Sequence, residues 1–234
     1  MIRDFAIVPA VDVLEGRAVR LLRGDYAHVT VDAGDPLALI RKLAASGPPL
    51  LHVVALGAAR DGGAPLELAR EAVAAAAPVP VQLGGGVRTV ADAEALVAAG
   101  VARVIVGTAA FGPLPLAAFV DALGERLAVA IDVGGGIVRT AGWLDSARTR
   151  TAEALERCSH AGVTHVVCTA IERDGTAAGP DLELLREVRR GFGGAVLAAG
   201  GIRDAGDVEA VRATGVDGVV VGRAFLDGTL EFAG

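Results

Sequence analysis

The chain has 234 residues and a net charge of −6 with no basic run, which argues against nucleic acid as a partner. Hydrophobic residues make up 53% and aromatics only 3%, so the core must be built from Ala, Val and Leu, as suits buried parallel strands. No apolar run reaches membrane-spanning length, and Cys158 and Cys168 have neither metal-ligand spacing nor a secreted framework's count.

In chain order, MIRDFAIVPAVDV enters a strand pattern directly, without a charged-then-apolar leader, so a cytoplasmic protein is expected. Eight β-type runs follow: FAIVPAVDV (5–13), LLHVVAL (50–56), VPVQL (79–83), ARVIVG (102–107), LAVAIDV (127–133), THVVCTAI (164–171), AVLAAG (195–200) and DGVVVG (217–222). Between them lie segments with apolar residues at helical spacing. Asp35, Thr89 and Asp204 stand where they can cap helix starts, and Gly47 and Gly100 where they can end them. Such alternation implies parallel strands joined by crossovers, and eight strands point to a single (β/α)8 barrel domain over residues 1–234, with an open doubly wound sheet as the alternative.

A shift of 115 residues lays GGVRTVADAEALVAAGVARVIVG (85–107) over GGIRDAGDVEAVRATGVDGVVVG (200–222), and PAVDV (9–13) falls over VAIDV (129–133) at a similar shift. The chain therefore reads as two duplicated half-barrels of four strand–helix units each.

The repeat gives the glycines a purpose. A glycine turn after a strand lets backbone N–H groups approach an anion with no Cβ in the way, although one such pair turns a tight corner equally well. Gly200, Gly201, Gly222 and Arg223 follow the seventh and eighth strands, the usual phosphate position in barrels. Gly85, Gly86, Gly107 and Thr108 supply a matching set after the third and fourth. A ligand with two separated phosphates is the expectation. Arg88 and Arg203 read more readily as surface residues at helix starts.

Asp12 ends the first strand and Asp132 the fifth, at the barrel end where active sites form. Opposed across the mouth and partly desolvated, one carboxylate and one carboxylic acid would make a base–acid pair. Thr169 ends the sixth strand, within reach of a carboxylate or substrate. Asp174 and Gly175 follow in its loop, where they either reach ligand or form an Asx turn. Trp143 either stacks on a ligand ring or packs. His52 and His165, near the starts of their strands, read as core histidines away from the mouth. His28 and His160 have no partner spacing, so no metal site is expected.

The stretches VPAVDVLEGRAVRLLRGDY, QLGGGVR, VIVGTAAF, AIDVGGGIVRTAGW, IERDGTAAGP and AAGGIRD…VVVGRAF, in order over essentially the whole chain, resemble the ProFAR isomerases of histidine biosynthesis. These convert the phosphoribosylformimino derivative of aminoimidazole carboxamide ribotide (ProFAR) to its ribulosyl form (PRFAR). The resemblance implies a (β/α)8 barrel, a substrate with a phosphate at each end, and no metal or organic cofactor. It also implies an Amadori rearrangement with Asp12 as general base, Asp132 as general acid and Thr169 assisting. A monomer without nucleic-acid or membrane partners is expected.

The chain departs from the family at Ala55 and Gly57, where acids are usual, at Ala170 in place of an aspartate, and in the glycine-rich VGGG after Asp132. The C-terminal stretch leaves little room for a full eighth helix. VRLLRGDY and AGW favour the isomerase over the sister cyclase. A switched or bifunctional phosphoribosylanthranilate isomerase, and a barrel that binds a bisphosphate without turnover, are the alternatives.

Overall fold

The computed structural model describes residues 5–143 and 145–230. In chain order its strands are β1 (Ala6–Leu14), β2 (Arg17–Leu22), β3 (Asp25–Gly34), β4 (Leu51–Ala55), β5 (Val81–Gly84) and β6 (Arg103–Val106). Then come β7 (Leu127–Gly134), β8 (Ile137–Thr140), β9 (Asp145–Arg150), β10 (His165–Ala170), β11 (Ala195–Ala199) and β12 (Gly218–Val221). Strands β1, β4, β5, β6, β7, β10, β11 and β12 pair in parallel, each with the next, and β12 pairs with β1. The ring is closed. The eight runs read from the sequence are these eight strands, and the open sheet is excluded.

Alternation along each strand sorts the side chains. Val8, Ala10, Ile105, Ala128, Val167, Leu197 and Val220 fill the barrel interior as one cluster. Outward residues such as Val53, Leu83, Val104, Val129, Val166 and Val196 pack in the layer beneath the helices. The small, branched composition fits both layers.

The helices begin where the caps placed them. Asp35 accepts from the Leu37 N–H at 2.9 Å, and Thr89 forms a capping box with Asp92 at the start of Val90–Ala98. Asp204 accepts from the Asp207 N–H at 3.1 Å ahead of Ala205–Arg212. In both halves the second acid also takes the N–H of the arginine after the glycines: Arg88 N to Asp92 at 3.1 Å and Arg203 N to Asp207 at 2.9 Å. After β12 a short helix covers Arg223–Leu226, and residues 231–234 lie outside the described ones.

Two excursions were not legible as strands. From the C-terminal end of β1 the chain turns back as an antiparallel hairpin, with Asp12 opposite Val19, and β3 extends it. From β7 a second hairpin, β8–β9, turns back with Val133 opposite Val138. Both stand over the same end of the barrel.

Candidate active site

Asp12 on β1 and Asp132 on β7 are separated by three strands in either direction round the ring, so they face each other across it. Both line one cavity of about 210 Å³ at the C-terminal end of the strands, together with Thr169, Asp174 and Trp143. The strand pairs bearing the glycines, β5–β6 and β11–β12, take the alternate quadrants of the ring.

Asp12 does not stand alone. The hairpin after β1 folds Arg20 back over it, and Arg20 Nη1 lies 2.7 Å from Asp12 Oδ2. The other terminal nitrogen of Arg20 donates to the Ala10 carbonyl, and its guanidinium lies directly over Gly222, where any Cβ would overlap it. Arg20 Nε is buried without a partner among the described residues. Arg20 therefore links the Asp12 end of the mouth to Gly222, just after β12. Sequence reasoning missed it, although the Leu14–Glu15–Gly16–Arg17 stretch between two β-type runs is a hairpin signal that could have found it.

Asp132 is held differently. Thr169 is its direct neighbour in the β7–β10 register and its hydroxyl bonds the carboxyl, and Trp143 Nε1 donates to Oδ2 at 2.8 Å. Burial raises the Asp132 pKa, and those two hydrogen bonds pull it partly back. Trp143 thus combines a polar contact with packing: one face of the indole lies on Gly24 of the first hairpin.

Asp174, in the loop after β10, lines the cavity, which is the ligand-reaching alternative of its loop reading. Its carboxyl is pushed up to about 7, chiefly by burial and next by the Asp12 charge; Arg20 opposes this, and Asp132 adds a smaller upward push. Its own carbonyl accepts the Arg23 N–H at 3.2 Å, tying the loop after β10 to the first hairpin.

The glycines have local steric reasons as well as exposure to the cavity. A side chain at Gly85 would overlap the Ala55 carbonyl, and one at Gly200 would meet the Ala170 carbonyl; φ is +108° and +97°. Gly86 and Gly201 similarly abut the carbonyls of Gly63 and Gly179. Gly85, Gly86, Gly107 and Thr108 line the main cavity. Gly175, Gly200, Gly201, Gly222 and Arg223 line a smaller one of about 40 Å³, and Arg20, Asp174, Gly200, Val220 and Gly222 belong to both.

Thr108 Oγ1 accepts the Ala141 N–H at 2.8 Å, so it holds the second hairpin. Arg223 Nη1 donates to the Gly175 carbonyl at 3.0 Å and Nε to Asp227 at 3.0 Å. Arg203 is taken up by Asp207 at the surface, whereas Arg88 turns to the Ala59 carbonyl and lines the cavity, contrary to its surface reading.

His52 is a second correction. It is buried, as expected of a core histidine, but it lines the cavity, because its inward-facing position on β4 pairs with Ala10, one inward position below Asp12. His165 lies outside the cavity lining and bonds Thr164. The residues that depart from the family, Ala55, Gly57 and Ala170, do not line the cavity; Ala55 and Ala170 are buried on the faces of their strands opposite to Val54 and Thr169. No group of three or more His, Cys, Asp or Glu among the described residues could hold a metal ion, and no helix among them is long and apolar enough to cross a membrane.

A closed (β/α)8 barrel with three carboxyl groups converging at the C-terminal mouth is the architecture of a barrel enzyme. More narrowly, the chain belongs to the histidine biosynthesis protein family, whose model matches residues 6–231. It is similar to isomerases named for 1-(5-phosphoribosyl)-5-((5-phosphoribosylamino)methylideneamino) imidazole-4-carboxamide. That of Chloroflexus aurantiacus is 39% identical over 228 residues, 97% of this chain and 95% of the relative. That of Klebsiella pneumoniae is 42% identical over 230 residues (95% and 94%), and that of a Synechococcus strain 41% over 225 (96% and 89%).

Proposed function

We propose that the chain is an aldose–ketose isomerase that converts ProFAR to PRFAR in histidine biosynthesis by general acid–base catalysis. The observation that carries this reading is the opposition of Asp12 and Asp132 across one mouth, with the glycine-bearing strand ends in the quadrants between them.

In this reading the two phosphates of the substrate sit at Gly85, Gly86, Gly107 and Thr108 on one side and at Gly200, Gly201, Gly222 and Arg223 on the other, with Gly175 bordering the second. The reacting ribose then lies between the aspartates. An acid protonates the ring oxygen as the C1–O bond breaks, and the lone pair of the exocyclic nitrogen forms the C1=N bond of the opened Schiff base. Asp12 removes the C2 proton, the electrons pass into a C1–C2 double bond, and the enaminol returns a proton to C1 to give the ketose. Atoms balance with no external oxidant.

Arg20 favours Asp12 as the base because it orients an ion-paired carboxylate. The proton for the ring oxygen comes from Asp132, the acid implied by family resemblance, acting with Asp174, whose value of about 7 suits proton donation at neutral pH. Thr169 and Trp143 orient the Asp132 carboxyl, and the indole edge borders the sugar. The chain acts as one barrel domain, derived from two half-barrels, and works as a cytoplasmic monomer without a cofactor.

Incubation with ProFAR tests the reading: formation of PRFAR supports it. Tight binding without turnover would instead make the chain a binder, and ammonia-dependent consumption of PRFAR a cyclase. Turnover of phosphoribosylanthranilate alone would replace the substrate.

A further inference from the structure

Beneath the mouth a chain of three polar side chains runs inward from the opposite end of the barrel. Arg103 on β6, Gln82 on β5 and His52 on β4 are paired in register, Gln82 with both of the others. Gln82 is fully buried, and His52 is 8% exposed. Nothing in the proposed chemistry uses them.

Their donors and acceptors leave one arrangement. A guanidinium only donates, so Gln82 must turn its Oε1 toward Arg103, whose Nη1 lies 3.5 Å away. The amide NH2 of Gln82 is then left facing His52 Nδ1 at 2.8 Å. An NH2 group donates, so Nδ1 must offer its lone pair. Burial and the neighbouring Arg20 charge hold the imidazole down to about 4, hence neutral. In a neutral ring accepting at Nδ1, the proton resides on Nε2.

That N–H has no partner among the described residues, and the ring lines the cavity one inward position below Asp12. Arg20 docks on the carbonyl of Ala10, the residue that pairs with His52. An N–H on the cavity floor that the protein leaves unpaired is open to a ligand, which gains by supplying an acceptor for it. With Arg20 already present as the cation, the matching group is a neutral oxygen, such as a sugar hydroxyl.

We infer that Arg103 and Gln82 act as positioning residues that fix His52 as its Nε2–H tautomer, and that His52 donates this hydrogen bond to an oxygen of the substrate beside its reacting sugar. The substrate part of this rests on the isomerase reading; the tautomer does not.

Long-range 15N–1H correlation on histidine-labelled protein, assigned by loss of the signal in His52→Gln, reads the tautomer directly. At pH 7 a protonated Nε2 and a bare Nδ1 are expected; a protonated Nδ1, or an imidazolium, would overturn the inference. Gln82→Glu replaces the donor with an acceptor and is expected to place a proton on Nδ1 and lower kcat about tenfold or more. A changed tautomer with unchanged kcat and KM would refute the functional role.

His52→Gln, whose amide can bring an N–H toward the Nε2 position, should keep kcat within about tenfold, while His52→Leu falls further. Equal losses in two folded variants would also refute it. Should the leucine variant not fold, the wild-type spectrum and Gln82→Glu still decide. If wild-type protein fails to isomerise ProFAR, the isomerase reading falls while the spectrum still judges the tautomer.

Discussion

Trp143 Nε1 stands 2.8 Å from Asp132 Oδ2 while the indole face covers Gly24, so one side chain connects a mouth carboxyl to the hairpin on the far side of the barrel. Tyr26, two residues after Gly24, crosses in return: its hydroxyl donates to the Leu56 carbonyl at 3.2 Å and lies beside Gly142. The two hairpins therefore brace each other over the cavity.

This bracing makes Gly24 and Trp143 separable. Trp143→Phe keeps a ring on Gly24 but removes the N–H, so kcat should fall about tenfold with a smaller change in KM. Gly24→Ala has φ of +70° and a methyl group that overlaps the indole, so it should raise KM and keep the hairpins apart. Trp143 is the only tryptophan, so its emission reports the difference: substrate should shift it in wild type and much less in Gly24→Ala.

Arg20 and Asp12 form a nearly buried pair, with side-chain exposures of 10% and 18%. Removing one partner leaves the other uncompensated. Arg20→Met should therefore lower stability by about 3 kcal/mol and kcat/KM by at least a hundredfold. Adding Asp12→Asn should restore much of the stability and none of the activity. Urea midpoints and steady-state rates on the four proteins check this; additive stability losses would contradict it.

Asp174 sets a pH dependence whose sign is fixed by its raised value. Its folded pKa of about 7 lies above the unfolded carboxylate value, so the folded state binds the extra proton. The associated stability is fully present below the unfolded value and is lost as pH rises toward 7. Asp174→Asn, which cannot ionise, should be more stable than wild type at pH 8, by up to roughly 4 kcal/mol, and closely matched at pH 4. The rate should follow the same group: kcat/KM is expected to decline above about pH 7 in wild type. Retention of that descending limb in Asp174→Asn would assign it elsewhere.

The barrel was legible because its signals are local. Runs such as LAVAIDV and DGVVVG are buried on both faces and stop at glycines, and Asp35, Thr89 and Asp204 cap helices by contacts only two or three residues long. Asp12, Asp132 and Thr169 were legible because strand ends in a closed barrel share one mouth. The hairpins were not: β3 is largely exposed, so no single face gives it a hydrophobic period, and its pairing with β2 shifts register three times. Arg20 was hidden with its hairpin. Arg88 and His52 were misplaced because orientation depends on strand parity and on the stagger between neighbours, neither of which a single strand reveals.

The most direct test compares ProFAR turnover by wild-type protein and Asp12→Asn, with substrate binding measured on both. The account predicts PRFAR from wild type, a fall in kcat of at least a thousandfold in the variant, and a dissociation constant within about tenfold of wild type, because the amide keeps the size of the carboxylate and an oxygen for Arg20 but cannot take the C2 proton. Turnover by Asp12→Asn within about tenfold of wild type would contradict it.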